Sequence, residues 1–107
     1  MQTPHPNSTD RITVQIDRDF EDIVPGFLAN RRRDTQTLRH ALADKDFGTI
    51  HMLGHRMSGD GGGYGLDQIS EIGSALELAA ARQDYAASEQ HIKQLEDFLA
   101  CLHVEYL

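Results

Sequence analysis

The sequence predicts an all-α domain, an up-down-up-down four-helix bundle preceded by a short extended N-terminal segment. Apolar residues recur at spacings of three and four in successive stretches, the period of helices with one buried face. The connections between these stretches are only a few residues long, so neighbouring helices must run antiparallel. One short stretch near the N-terminus alternates instead, which is the period of extended chain. At 107 residues the chain is one domain with one core, too short for a separate nucleotide-binding module.

Residues 1–10 (MQTPHPNSTD) are polar and carry two prolines, and are expected to form a flexible tail ahead of a single domain over 11–107. Ile12, Val14 and Ile16 alternate with polar neighbours and predict a strap laid across the bundle, with no second strand to pair with it. From about Asp17 the helical period begins. Phe20, Ile23, Val24, Phe27 and Leu28, then Leu38, Ala41 and Leu42, mark the inner face of a long first helix. Pro25 has no amide hydrogen and clashes with a preceding turn, so a kink or a fresh helix start belongs there. Asp44-Lys45-Asp46 connects to a second helix from about Asp46 to near Gly61, with Phe47, Ile50, Leu53 and Met57 inward. The third helix is predicted from Leu66 to about Arg82 on Leu66, Ile69, Ile72, Leu76, Ala79 and Ala80. The fourth follows Gln83-Asp84 and runs from Tyr85 to about Glu105 on Ile92, Leu95, Leu99 and Leu102.

The formal net charge of −7 argues against nucleic-acid backbone binding, which demands clustered cations. No apolar run approaches the roughly 20 residues of a membrane span, and the polar N-terminus is no signal peptide. The single cysteine, Cys101, cannot form an internal disulfide and falls in an apolar stretch, where it fills core in a reducing compartment. A cytoplasmic protein is expected.

The stretch Gly54–Gly65, GHRMSGDGGGYG, is the most informative. His55 is two positions from both Leu53 and Met57, so it sits off the buried stripe of the second helix. Positions four and seven after it, Gly59 and Gly62, return to its own face on a helix that turns about 100° per residue. Each glycine inside a helix costs about 1 kcal/mol relative to alanine, so two on one face call for a reason. That reason is clearance: something large approaches His55 closely.

These residues resemble the signature of histidine-phosphotransfer (HPt) domains. The match comprises His55, apolar Met57, Gly59, the small residues after it and the Tyr64-Gly65 pair. It extends more loosely from about Asp19 to Glu105, through Pro25-Gly26-Phe27-Leu28 and Ile72-Gly73-Ser74-Ala75-Leu76-Glu77. Two positions depart from the family pattern: Ser58 stands where lysine is usual, and Asp60 where serine or another small residue is usual.

The resemblance implies a phosphocarrier that accepts and donates a phosphoryl group at His55, in exchange with a response-regulator receiver aspartate or a histidine kinase. Histidine suits this, because a neutral imidazole has a free lone pair and an exposed one is substantially neutral at cellular pH. The chain has no Walker-type loop and no obvious carboxylate trio for magnesium. The resemblance therefore implies a carrier rather than an enzyme, with no cofactor of its own and with Mg²⁺ and most of the catalysis on the receiver. Ser58, Gly59, Gly62 and Arg56 are expected to surround the phosphoryl group, and His51, Met52, Asp60 and Gly63 to meet the partner. Lysine at position 58 would lie about 60° from His55 and attract the phosphoryl charge. Serine brings no charge, and Arg56 points about 100° away, so the phosphorylated form is expected to be less stabilised than in relatives with lysine. Asp60 is expected to meet solvent or a helix end. A monomer is expected, because HPt relatives complete their bundle within one chain.

Two other readings stand beside this one. Without the lysine, the chain is alternatively an interaction module that binds receivers and never cycles phosphate. His51 and His55, four apart, have the spacing of two imidazoles on one metal, although Met52 occupies the glutamate position of a zinc-protease helix and no spacing brings up a further ligand. Arg31-Arg32-Arg33 is expected to be a solvated helix face, with steering of an acidic receiver as its alternative role. The glycines at 61–63 lack the strand and lysine of a phosphate-cradling loop.

Overall fold

The computed structural model describes residues 11–107, and the tail expected over residues 1–10 lies outside the described residues. Strand β1 (Ile12–Ile16) leads through a 3-10 turn (Arg18–Phe20) to α1 (Val24–Ala43). Then follow α2 (Phe47–Asp60), a second 3-10 turn (Gly61–Tyr64), α3 (Asp67–Ala81), α4 (Tyr85–Cys101) and strand β2 (Leu102–Tyr106). The architecture is the predicted all-α four-helix bundle, with one addition. β1 pairs in parallel with β2, in the register Ile12↔Leu102 to Ile16↔Tyr106.

This ribbon corrects two expectations. The extended N-terminal segment does have a strand partner, and α4 stops at Cys101 rather than near Glu105. Leu102 fits a helical stripe with Ile92, Leu95 and Leu99, yet it also begins an alternation with Val104 and Tyr106. Pairing with β1 resolves that ambiguity in favour of strand, and Leu102 takes extended angles of φ −69° and ψ 129°. The Leu107 amide donates to the Ile16 carbonyl at 3.0 Å, and the Arg18 guanidinium donates to the carbonyls of Leu107 (3.0 Å) and Tyr106 (3.2 Å).

Pro25 marks a fresh start. The chain from Arg18 to Ile23 is a 3-10 turn and a loop, and α1 begins at Val24 with Pro25 in its first turn, where a missing amide hydrogen breaks no helical bond. Ile23, expected in the core, is accordingly 49% exposed.

All three helix connections close in one way. The amides of Asp46, Leu66 and Asp84 donate back to the carbonyls of Ala41 (2.7 Å), Gly61 (3.0 Å) and Ala79 (3.0 Å). The residue before each donor, Lys45, Gly65 or Gln83, takes positive φ. This is the left-handed closure that satisfies terminal helix carbonyls. Asp46 and Asp84 then cap the next helix, accepting from the amides of Thr49 (3.2 Å) and Ala87 (3.0 Å). The side-chain hydrogen bond from the Thr49 hydroxyl, then the backbone amides of Thr49 and Gly48, hold the Asp46 carboxyl below the usual aspartate range.

The core joins Ile16 and Val24 to Leu38, Leu42, Ile50, Met57, Leu66, Ile69, Leu76, Ile92 and Leu95, all nearly or fully buried. Phe98, absent from the predicted stripe, is buried with them. Between α1 and α4, Arg39 makes a two-pronged ion pair with Glu96 at 2.9 and 2.7 Å. That pairing, opposed by desolvation, raises the Arg39 pKa.

The tightest packing is between α2 and α3. A Cβ added at Gly54 would lie 2.7 Å from the Glu77 amide nitrogen and 2.8 Å from the Gly73 carbonyl oxygen. One added at Gly73 would lie 2.7 Å from the Gly54 carbonyl oxygen and the Ser58 nitrogen. Glycine is required at both because backbone meets backbone. Among the described residues no helix is long and apolar enough to cross a membrane.

Candidate functional site

Leu53 and Met57 are buried on α2, and this fixes the helix's rotation so that His55 faces outward with 72% of its side chain exposed. The contact of Gly54 with Gly73 brings α3 against the same stretch of α2. Glu77, one turn beyond Gly73, then reaches His55: its Oε2 lies 2.9 Å from His55 Nδ1. The same oxygen lies 3.8 Å from His51 Nε2. One carboxylate oxygen thus serves two imidazoles on the adjoining helix.

Glu77 is not among the site residues expected from the sequence, although it ends the Ile72–Glu77 segment that carries part of the resemblance. The signal was the pair of glycines, Gly54 beside His55 and Gly73 one turn before Glu77. Turning it into a contact requires knowing which faces of two helices meet, and periodicity does not supply that.

The other predicted residues divide. A Cβ added at Gly59 or Gly63 would meet nothing within 4 Å, and one at Gly62 would meet only Asp67 Oδ1 at 3.6 Å. Gly59, one turn after His55 on α2, is therefore open to an approaching group. Gly62, however, lies beyond the end of α2 in the 3-10 turn, so projecting α2 forward by 100° per residue does not place it. Gly61 has a packing role instead, since a Cβ there would come within 2.8 Å of the Leu66 carbonyl oxygen and the Ser70 nitrogen. Ser58 donates its hydroxyl to the His55 carbonyl at 2.8 Å, so that hydroxyl is engaged with backbone. Arg56 is exposed and makes no ion pair within 4 Å among the described residues. His51 and Met52 are half exposed on the turn before His55.

Asp60 ends α2 and is exposed, as expected, but the arginine cluster requires correction. Arg31 is 5% exposed rather than solvated. Its Nε meets Asp34 at 2.9 Å, its Nη1 meets Asp60 at 3.6 Å, and its guanidinium lies 4.8 Å over the Phe27 ring. Asp60 therefore faces a cation on α1 as well as solvent. The aromatic face that buries Arg31 continues from Phe27 to Tyr64 (4.8 Å between centroids) and from Tyr64 to Phe20 (5.7 Å, edge to face). This cluster anchors the glycine-rich turn after α2. Arg32 and Arg33 remain exposed, as predicted.

Among the described residues no group of three or more His, Cys, Asp or Glu side chains is arranged to hold a metal ion. His51 and His55 converge on a carboxylate oxygen instead.

The site is chemically simple: an exposed imidazole, one ring nitrogen engaged by a carboxylate, and open ground around the other. A family model, that of the Hpt domain, matches residues 22–103. Comparisons with curated proteins and with solved structures find no match. The match spans most of the chain and includes all four helices, and its helical-bundle fold is the one observed, so the chain belongs to the Hpt domain family, the histidine phosphocarriers of two-component phosphorelays.

Proposed function

We propose that the phosphorylated residue of this carrier is His55, exchanging its phosphoryl group with the aspartate of a response-regulator receiver domain. The observation that carries the reading is the Glu77 contact at 2.9 Å. A carboxylate accepts a hydrogen bond from Nδ1–H, which leaves the Nε2 lone pair free and directed away from α3. Nε2 attacks the phosphorus of the receiver's aspartyl phosphate, forming a P–N bond. The P–O bond to aspartate breaks and the carboxylate leaves with its electron pair. The ring becomes an imidazolium, whose Nδ1–H is stabilised by Glu77. The reverse step hands the phosphoryl group to a second receiver. Phosphoryl transfer of this kind depends on in-line positioning and charge stabilisation, and the receiver brings the aspartate and its Mg²⁺. Gly59 leaves room for it on the turn after His55, with His51, Met52, Asp60 and the glycine-rich turn of Gly62 and Gly63 at the edge of the contact.

The test is transfer from a panel of phosphorylated receivers to wild type, His55→Ala and Glu77→Ala, with the product checked for acid lability. Wild type is expected to take acid-labile label and His55→Ala none. Glu77→Ala is expected to be slowed by about tenfold, the scale of losing a hydrogen bond to a charged group. A His55→Ala protein labelled as fully as wild type would falsify the assignment. Ser58 in the lysine position favours one alternative, a module that binds receivers without carrying phosphate. Receiver binding that is equal with and without His55, and no label from any competent donor, would establish that alternative.

A further inference from the structure

We propose that His51, in its protonated form, supplies the positive charge that stabilises the phosphoryl group on His55, in the role left open by serine at position 58. The proposal rests on the reading of His55 as phosphoacceptor.

Neither Ser58 nor Arg56 fills that role. The Ser58 hydroxyl is neutral and bonded to the His55 carbonyl. Arg56 is charged but starts about 100° around α2 from His55.

His51 differs in both position and contact. It lies one turn before His55, about 40° around the helix and about 6 Å along it. Helical side chains lean toward the N-terminus, so the His55 ring stands over the turn that carries His51, whereas position 58 lies behind it. Both imidazoles meet Glu77 Oε2, His55 Nδ1 at 2.9 Å and His51 Nε2 at 3.8 Å. The two distances together keep those ring nitrogens within about 7 Å of each other, inside the range over which charges interact at physiological salt.

Phosphorylation adds negative charge to this group of side chains. A neutral imidazole becomes an imidazolium bearing a phosphoryl dianion, a net gain of one negative charge beside Glu77. The His51 side chain is 48% exposed. Glu77 from α3 is the carboxylate within 4 Å of His51, and His55 is the titratable neighbour on its own helix. Among the described residues α1, also packed on α2, places no acidic group within that distance. A histidine changes charge between about pH 5 and 8, so this stabilisation is present at the acidic end of the window and lost as the pH rises through it.

The test uses potassium phosphoramidate as donor, so that no receiver is involved: its P–N bond breaks, ammonia leaves and the phosphoryl group passes to His55. After removal of the donor, the lifetime of the acid-labile phosphate is followed at about pH 6 and about pH 8.5, the two sides of the histidine window. Phosphohistidine hydrolysis itself varies with pH, so the quantity read is the wild-type lifetime divided by that of His51→Gln at each pH. The expected ratio is about threefold at the lower pH, the scale of an exposed ion pair, and close to one at the higher. His51→Lys, charged throughout, is expected to outlive His51→Gln by a similar factor at both. A ratio that does not change with pH, or a lysine variant no longer-lived than glutamine, overturns the role of His51 and leaves His55 as phosphoacceptor. Wild type that takes no label overturns the role and the reading beneath it.

Discussion

Gly54 and Gly59 are five residues apart on α2, and alanine at the two positions is expected to act in opposite directions. At Gly54 the new Cβ would meet the Glu77 nitrogen at 2.7 Å and the Gly73 carbonyl oxygen at 2.8 Å. Both are backbone atoms, so α3 must move, and Gly54→Ala should destabilise the domain by roughly 1–3 kcal/mol, the usual cost of overpacking. The shift would also draw the Glu77 carboxylate away from His55. At Gly59 nothing lies within 4 Å, and Gly59→Ala should stabilise the helix by up to about 1 kcal/mol. It should nonetheless slow transfer from a receiver, because the methyl group enters the space kept open beside His55. Urea denaturation and transfer rates measured on both variants check the pair. Unchanged transfer in Gly59→Ala would remove the clearance argument. His55 was legible in the sequence because its motif is local and its helix face follows from the period. Glu77 is 22 residues away in sequence, and only helix packing brings it to the imidazole.

The connections between helices show what is legible for an element. Gly65 announces a turn from sequence, because glycine takes positive φ without steric cost. Lys45 and Gln83 take the same conformation (φ 54° and 51°) with no such signal. They are held there by the hydrogen bonds that close each helix end and by the aspartate that caps the next. Asp46 makes this testable through pH. Its carboxyl is held below the usual aspartate range by the Thr49 hydroxyl and by backbone amides, so the folded state binds the charged form better. A group depressed in this way contributes stability above about pH 4, the ordinary aspartate value, and loses it as the pH falls through the lower, folded value. Asp46→Ala should therefore melt below wild type at neutral pH, with a gap that narrows as the pH falls below about 4. Asp46→Asn, which keeps a capping oxygen, should melt between the two at neutral pH. Thermal melts across that pH range check it, and a gap independent of pH would show that the charged cap contributes nothing.

At the scale of the whole molecule, the parallel ribbon joins residues near the start of the fold to residues near its end. Ile16, at the end of β1, is 2% exposed and belongs to the same core cluster as the helices. The ribbon is thus part of the cooperative unit, and Ile16→Ala should lower its stability by about 2–4 kcal/mol in a single transition. A separate early transition for the ribbon, with helix melting unchanged, would show it to be an appendage. By itself the sequence determined the four helices, their antiparallel order, the core positions on α2 and α3, and the histidine that stands off the buried stripe. All of these follow from local periodicity and short connections. Only the tertiary structure decided that β1 has a partner, that α4 yields to a strand after Cys101, that Arg31 lies buried between Asp34 and Asp60, and that Glu77 stands against both His55 and His51. Each of these depends on contacts between segments distant in sequence, where the free energy of pairing overrides a locally ambiguous pattern.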